Sequence, residues 1–384
     1  QGNEQLFEAG VLRVNSKKLG YVDAIRGIAI LMVILVHTAQ RIPNLSYIMD
    51  ILAQYGQMGV QLFFVASAYT LCISFEGRAK EPYKILSFYI RRWFRIAPLY
   101  YLAILIYFSV LIGLQLYAGN KIISTGQYSF FNVLANVVFV HGFVPSANNN
   151  IVPGGWSIGT EMAFYLIFPL VFAVSKKIYG GSVLHLLWLL IACLVVNLTI
   201  QTILTGVTHQ SIRNNDFRYF NIINQLPVFI LGVIAYFLHK NGTYSRMPSR
   251  MISILGFIFF SGIALLLLKA RGQLVPVIIP TVSGVSFLFL LNWFKIAGHQ
   301  SRLLCKIGVV SYSMYIFHFI FAWVLLPIIF RNISHPFNPD IELVIAFIFV
   351  STLTYLVARF TQRFIEAKFT LAGAKLILRL QARK

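Results

Sequence analysis

The sequence predicts an all-α protein: a polytopic transmembrane helical bundle of about ten spans plus one short re-entrant or interfacial segment, with both termini cytoplasmic. Three observations carry this reading. Of 384 residues, 58% are hydrophobic and only 11% charged, where a soluble domain has about 45–50% and about 25%. The apolar residues fall into runs of about 20, the length that crosses a hydrocarbon core. The basic residues outnumber the acidic ones, 32 to 11, for a net charge of +21, and they crowd the connections on one side of those runs. A soluble enzyme, a disordered chain and a disulfide-stapled secreted module are excluded. Nucleic acid is not an expected partner, because Lys and Arg lie between apolar runs rather than on one surface.

The runs, in order, are 24–40, 57–76, 96–117, 156–175, 183–205, 219–239, 251–269, 274–293, 308–331 and 341–363. Lys17 and Lys18 precede the first. Arg78, Lys80 and Lys84 follow the second, and Arg91, Arg92 and Arg95 lead into the third. Lys176 and Lys177 close the fourth, while Lys240, Arg246 and Arg250 join the sixth to the seventh. Lys295, Arg302 and Lys306 join the eighth to the ninth, and seven basic residues from Arg359 to Lys384 follow the tenth run's core. With the amino terminus inside, the cytoplasmic side holds 25 Lys and Arg, and the outside holds seven. That is the asymmetry of a positive-inside topology. The stretch 130–144 is shorter and carries Asn132, Asn136 and His141. Counting it as a span would reverse everything after it, so it is expected to be re-entrant or interfacial. The connection 118–155 is therefore expected outside.

Cys72, Cys193 and Cys305 lie in or beside apolar runs without CxxC spacing, so they read as buried thiols with no disulfide and no zinc site. Gln1 at the start reads as a trimmed or processed end, with no cleavable signal nearby. No repeat is visible, and we expect no appended soluble domain at either end.

Ionisable groups inside a span cost several kcal/mol or more, so each is a candidate functional residue. Asp23, Arg26 and His37 lie in the first run. The eleven positions from Arg26 to His37 make three helical turns plus about 20°, placing both on one stripe about 16 Å apart. Asp23 has the spacing to pair with Arg26. Arg26 can equally snorkel to the interface. His37 can be a packing histidine or, neutral, a general base towards a hydroxyl.

In the fourth run Trp156 suits an interfacial belt, and Ser157 and Glu161 share a face. Glu161 needs a partner from another helix, for which His37 is a candidate. Ser157 is not in a nucleophile elbow. Arg91, Arg92 and Arg95, with aromatics between them, suit a phosphate-bearing ligand or anionic lipid. Tyr312, Tyr315 and His318 recur every three residues along the ninth run. No metal motif, Walker lysine or dinucleotide fingerprint is present. His141, His185, His209, His239, His299 and His335 are scattered, and no role is assigned to them.

Taken in order, these segments resemble the acyltransferase 3 family of integral-membrane acyltransferases. The resemblance rests on Tyr21-Val22-Asp23-Ala24-Ile25-Arg26-Gly27 with His37, on Gln61-Leu62-Phe63-Phe64-Val65-Ala66-Ser67, and on Arg91-Arg92 with Arg95-Ile96-Ala97-Pro98-Leu99-Tyr100. It continues through Trp156-Ser157-Ile158 with Glu161 and Tyr165, Ser311-Tyr312 with Tyr315 and His318, and Phe364-Ile365-Glu366. It covers residues 20–368, and one departure is Ala68 where the family usually has glycine. Some members carry a fused extracytoplasmic esterase-like domain, which we do not expect here.

The resemblance implies a cytoplasmic segment 1–20, an acyltransferase membrane domain 21–368 and a basic cytoplasmic tail 369–384, in a bacterial inner membrane. It implies transfer of an acyl group, often acetyl, from acyl-CoA (acetyl-CoA) to a hydroxyl of an envelope glycan or glycolipid, with no metal. Arg91, Arg92 and Arg95 would hold the CoA phosphates, Arg26 would lie on the thioester path, and His37 would be the base. Glu161 would orient His37 or the sugar, with Asp23, Trp156, Ser157, Tyr165, Tyr312 and His318 in support. Two other readings stay open: a transporter of a small polar solute, and a lipid or protein acyltransferase of another class.

Overall fold

A computed structural model describes residues 19–119, 124–210, 212–213, 216–240, 250–270, 272–298, 301–331 and 337–382. Most of the segment 1–20, together with Lys121, Arg246, Arg271, His299, His335, Arg383 and Lys384, lies outside the described residues. The described chain is helical: ten helices are long and apolar enough to cross a membrane by length and composition. Each of the ten expected runs coincides with one of them, with ends that extend at most three residues beyond the helix.

The chain opens with α1 (Gly20–Ala39), then α2 (Tyr47–Tyr55), which runs through a 3-10 turn into α3 (Gly59–Gly77). A long α4 (Lys84–Tyr117) follows, then the short α5 (Phe130–Val137). Next come α6 (Gly155–Tyr179), α7 (Val183–Thr208), the single turn α8 (Phe217–Phe220) and α9 (Ile222–Lys240). After α10 (Arg250–Lys269) and α11 (Val275–Ala297) comes α12 (Arg302–Val309), lying across α1. The last elements are α13 (Ser311–Phe319), a π turn (Ile320–Leu325), α14 (Leu326–Phe330), α15 (Pro339–Thr361), a second π turn (Gln362–Glu366) and α16 (Ala367–Gln381).

Local sequence explains the breaks. Ser46, Ser129, Ser182, Asp216, Ser301 and Asn338 each accept a backbone N–H at a helix start, meeting donors that would otherwise be orphaned. Pro98, Pro169, Pro227 and Pro280 lie inside helices, which membrane proteins tolerate when neighbours satisfy the freed groups. Pro327 has no N–H for the carbonyl of Trp323, and its ring crowds that carbonyl. The π turn that carries Trp323 sits just before it.

Buried faces belong to α1, α3, α9 and α11, which pack on one another at the centre. Leu184, Trp188, Val195 and Ile203 of α7, Met251, Leu255 and Phe259 of α10, and Ile341, Ile348 and Leu356 of α15 are exposed. Such wholly apolar outer faces are those of lipid-facing helices. At the α1–α12 crossing, a Cβ on Gly308 would stand 1.7 Å from the Asp23 carbonyl oxygen, and one on Gly27 2.3 Å from that of Leu304. Only paired glycines allow this approach.

The stretch 130–144 does not cross the bundle. Phe139 packs on Trp93, Tyr100 and Tyr101, and the Tyr101 hydroxyl donates to the Val137 carbonyl. Tyr100 is 17 residues from the end of α4 at Tyr117, which at 1.5 Å per residue is about 26 Å. The connection therefore re-enters deeply, and α6 starts at that depth rather than at the end of α4. The described part of the basic tail is helical: α16 packs on α4, with Gly373 against Phe94 and Gln381 donating to Glu81.

Candidate active site

On α1, Arg26 Nη2 donates to Thr70 of α3 at 3.0 Å, and its Nη1 lies 3.9 Å from Asp23, one turn earlier. Arg92 and Arg95 project from α4 into the same space, a partly enclosed cavity. Its wall includes Ser67 of α3, Ser157, Glu161 and Tyr165 of α6, and Ser311, Tyr312 and Tyr315 of α13. Three guanidinium groups thus meet in one partly enclosed chamber. The Arg92 guanidinium lies 5.8 Å from each of the Phe88 and Tyr165 ring centres. Among the described residues neither Arg92 nor Arg95 has a carboxylate within 4.0 Å. Arg91 is different: Glu81 engages it through two bonds of 2.8 and 2.9 Å. Of the three expected phosphate-binding arginines, the structure brings two to the cavity and anchors the third outside it.

Glu161 accepts from Ser67 and Tyr165, each at 2.5 Å, through the same oxygen. The expected His37 partnership is corrected: a neighbouring helix does supply a partner, but it is α3. His37 has other neighbours, Gln40, His318, Phe319 and Trp323, and the Glu161 oxygen that would meet it is already taken by two hydroxyls. Trp156 stacks on Phe220 at 4.3 Å, inside the protein rather than in a lipid-facing belt.

The far end of the cavity is closed by a turn. Ser157 donates to the Tyr315 hydroxyl at 2.7 Å, and Tyr315 donates to the Gly154 carbonyl at 3.0 Å. Gly154 has φ +75, and a Cβ there would lie 2.8 Å from the Phe319 ring and 2.9 Å from the Tyr315 hydroxyl. Glycine is needed for both reasons.

Beyond this partition stands His37. Its ring centre is 4.4 Å from Phe319, 5.3 Å from His318 and 5.4 Å from Trp323. With Gln40 Oε1 3.2 Å from its Nδ1, the Nδ1–H donates and Nε2 keeps its lone pair. That is the tautomer a general base requires. The His318 Nδ1–H donates to the Tyr315 carbonyl at 2.7 Å, tying the outer histidine pair to the partition. Tyr312 donates to the Ile96 carbonyl at 2.8 Å and joins α13 to α4 beside the arginines.

Sequence reasoning passed over His141, which is fully buried. It stacks on Tyr100, ring centres 5.6 Å apart, and its Nε2–H donates to the Gly155 carbonyl at 3.0 Å. Ser67 and Tyr315 were named only within motifs, yet both line the cavity. Ser313 donates to Glu366, and Thr361 donates to Ser313 at 2.9 Å, so the closing motif is fastened to the ninth span. Cys72, Cys193 and Cys305 are free thiols. Among the described residues no cluster of three His, Cys, Asp or Glu could hold a metal.

The sequence profile of the acyltransferase domain family known as acyltransferase 3 matches residues 19–359. The chain is similar to the O-acetyltransferase OatA of Staphylococcus aureus, 25% identical over 387 residues, covering 94% of this chain and 59% of that protein. The peptidoglycan O-acetyltransferase OatA of Listeria monocytogenes is 25% identical over 380 residues, 92% of this chain and 56% of its own. The acyltransferase MdmB of Streptomyces mycarofaciens is 26% identical over 286 residues, 69% of this chain and 67% of its own. The chain thus spans a little under three fifths of the length of the OatA proteins. No solved structure matches it. With ten apolar helices and bacterial relatives, it is an integral bacterial membrane protein. The ordered motifs, the cavity they build and the match over nearly the whole chain lead to one assignment: the chain belongs to the acyltransferase 3 family.

Proposed function

We propose that this protein transfers an acyl group, acetyl in the first instance, from a cytoplasmic acyl-CoA to a hydroxyl of an extracytoplasmic envelope glycan. The observation that carries the reading is the pair Arg92 and Arg95, which share a cavity with Arg26 and have no carboxylate within 4.0 Å among the described residues. Half-buried cations without an acid partner are costly, and an anionic ligand relieves that cost. In this reading the basic connections and both termini face the cytoplasm. The donor enters from there, with its phosphates on Arg92 and Arg95. Arg26, held by Asp23 and Thr70, stabilises negative charge on the thioester oxygen. Glu161, fastened by Ser67 and Tyr165, adds negative charge to the wall that the three guanidinium groups share.

Past the Gly154–Tyr315 partition, His37 Nε2 takes the proton of the acceptor hydroxyl. The oxygen attacks the acyl carbon, the carbon–sulfur bond breaks, and the CoA thiolate leaves to be protonated. The relatives named as O-acetyltransferases, one of them of peptidoglycan, support a glycan acceptor.

The test is mass spectrometry of envelope glycans from cells lacking the protein, supplied with the wild type, His37→Ala, or the Arg92→Gln and Arg95→Gln pair. We expect a base-labile ester mass with the wild type alone. His37→Ala should slow transfer about 10²-fold or more while leaving acyl-CoA binding intact. The arginine pair should weaken acyl-CoA binding at least about tenfold. Full transfer by well-folded His37→Ala would end the base assignment.

A further inference from the structure

On the far side of the partition lies a second, more open cavity, distinct from the chamber of the arginines. Its wall carries the rings of Tyr107, Tyr128, Phe319 and Trp323 and the amides of Gln127 and Asn150. Phe319 and Trp323 are also the rings packed on His37. Gly154, wedged between Tyr315 and Phe319, separates the two spaces.

The rest of the wall is aliphatic, with Val110, Leu111, Leu114, Ile151, Pro153 and Val324, so the few polar groups on it are the ones that could orient a ligand. Tyr107 and Tyr128 spend their hydroxyl protons on the carbonyls of Ile316 and Ile151, at 2.7 and 3.0 Å, which fixes their rings at the cavity. The indole N–H of Trp323 is buried without an acceptor among the described residues. Such an orphaned donor carries a desolvation cost, and it sits on the π turn, a distortion often found at functional sites. Asn150 donates to the Ser146 carbonyl at 2.8 Å, which leaves its carbonyl oxygen to accept from a ligand.

We propose that this cavity is the acceptor subsite and holds a pyranose ring of a glycan. The proposal rests on the acyl-transfer reading above. A pyranose has C–H faces that lie against the negative faces of aromatic rings, and a rim of hydroxyls. One hydroxyl accepts from the Trp323 N–H, others bond to Gln127 and Asn150, and another is presented to His37. The donor and acceptor then approach the Gly154 turn from opposite sides, and attack requires this turn to give way so that the acceptor oxygen meets the acyl carbon.

The experiment uses the purified full chain in lipid nanodiscs and two readouts: equilibrium binding of tritiated chitotetraose, and acetyl transfer from acetyl-CoA to solubilised envelope glycan fragments. Trp323→Phe keeps the ring and removes the N–H, while Asn150→Ala removes an amide at an exposed loop. Each should raise the glycan dissociation constant and the acceptor KM roughly tenfold and leave the acetyl-CoA KM within twofold. Arg92→Gln should do the reverse. If the wild type binds or uses glycan and both outer variants match it, the subsite is wrong while the transferase reading stands. Failure of the wild type to bind any glycan would overturn the subsite as well. If glycan binding is lost in the variants but no acyl transfer occurs even with the wild type, the cavity is a glycan site while the transferase reading, and with it the acceptor role, falls.

Discussion

His141 shows how one buried side chain serves the site without touching its cavity. It holds the Gly155 carbonyl at the start of α6 and stacks on Tyr100, and so sets the depth at which Ser157 and Glu161 begin. Burial pushes its pKa down, opposed by the Gly155 carbonyl that its N–H meets. A lowered folded-state value means that the unfolded chain binds the proton more readily. The contribution to stability is therefore complete above the ordinary histidine value near 6.5 and is lost as pH falls from there towards the folded value. We expect the melting midpoint in detergent to drop between pH 7 and pH 5. His141→Gln should melt lower at pH 7, by about 1–3 kcal/mol, and show a shallower fall. Equal pH slopes for the two proteins would refute this. The position was unreadable in the sequence because hydropathy treats a histidine in a polar connection as exposed. Arg26, His37 and Glu161 stood out because charge in an apolar run is rare whatever surrounds it.

At the scale of elements, the site depends on how closely helices approach. The Gly308 and Gly27 contacts bring α12 onto the start of α1, where Asp23 and Arg26 sit. Gly308→Val has no room to relax, since its neighbour is backbone. It should cost about 3 kcal/mol or more, seen as loss of the monodisperse peak after mild heating. Gly262→Ala on α10, with open space at its Cβ position, should be neutral or stabilise by up to about 1 kcal/mol. If both variants behaved alike, the crossing would not be the constraint. The spans themselves were legible from length and hydropathy, including the refusal of 130–144 to cross. Their ends were not: α4 starts at Lys84, so Arg92 and Arg95 lie inside a helix rather than at its mouth. A charged, aromatic-rich turn scores as an interface although it is continuous with the helix.

For the whole molecule, the distribution of Lys and Arg predicts which side faces the cytoplasm. In a chain whose Cys72, Cys193 and Cys305 are replaced by serine, Ala382→Cys should react with an impermeant maleimide only after the cells are opened. Thr208→Cys, at the exposed end of α7, should react in intact cells. The opposite pattern would invert the protein and remove the cytoplasmic donor route. Glu76, at the end of α3, bonds to both Lys176 of α6 and Lys240 of α9, at 3.2 and 2.6 Å. Three helix ends of one expected side are thereby drawn together.

Sequence alone determined the class, the number of spans and the residues that charge or motif order made conspicuous, because membrane insertion is governed by properties that add along the chain: apolar length and basic flanks. Tertiary structure alone decided partnership. It gave Glu161 to Ser67 and Tyr165 rather than His37, and Arg91 to Glu81 rather than the cavity. It also placed Trp323 and Tyr128, distant in sequence and silent in hydropathy, on one wall beside His37. Those outcomes depend on the depth and rotation of each helix, which are set by glycine contacts, a re-entrant connection and a π turn. None of these leaves a periodic trace in the sequence.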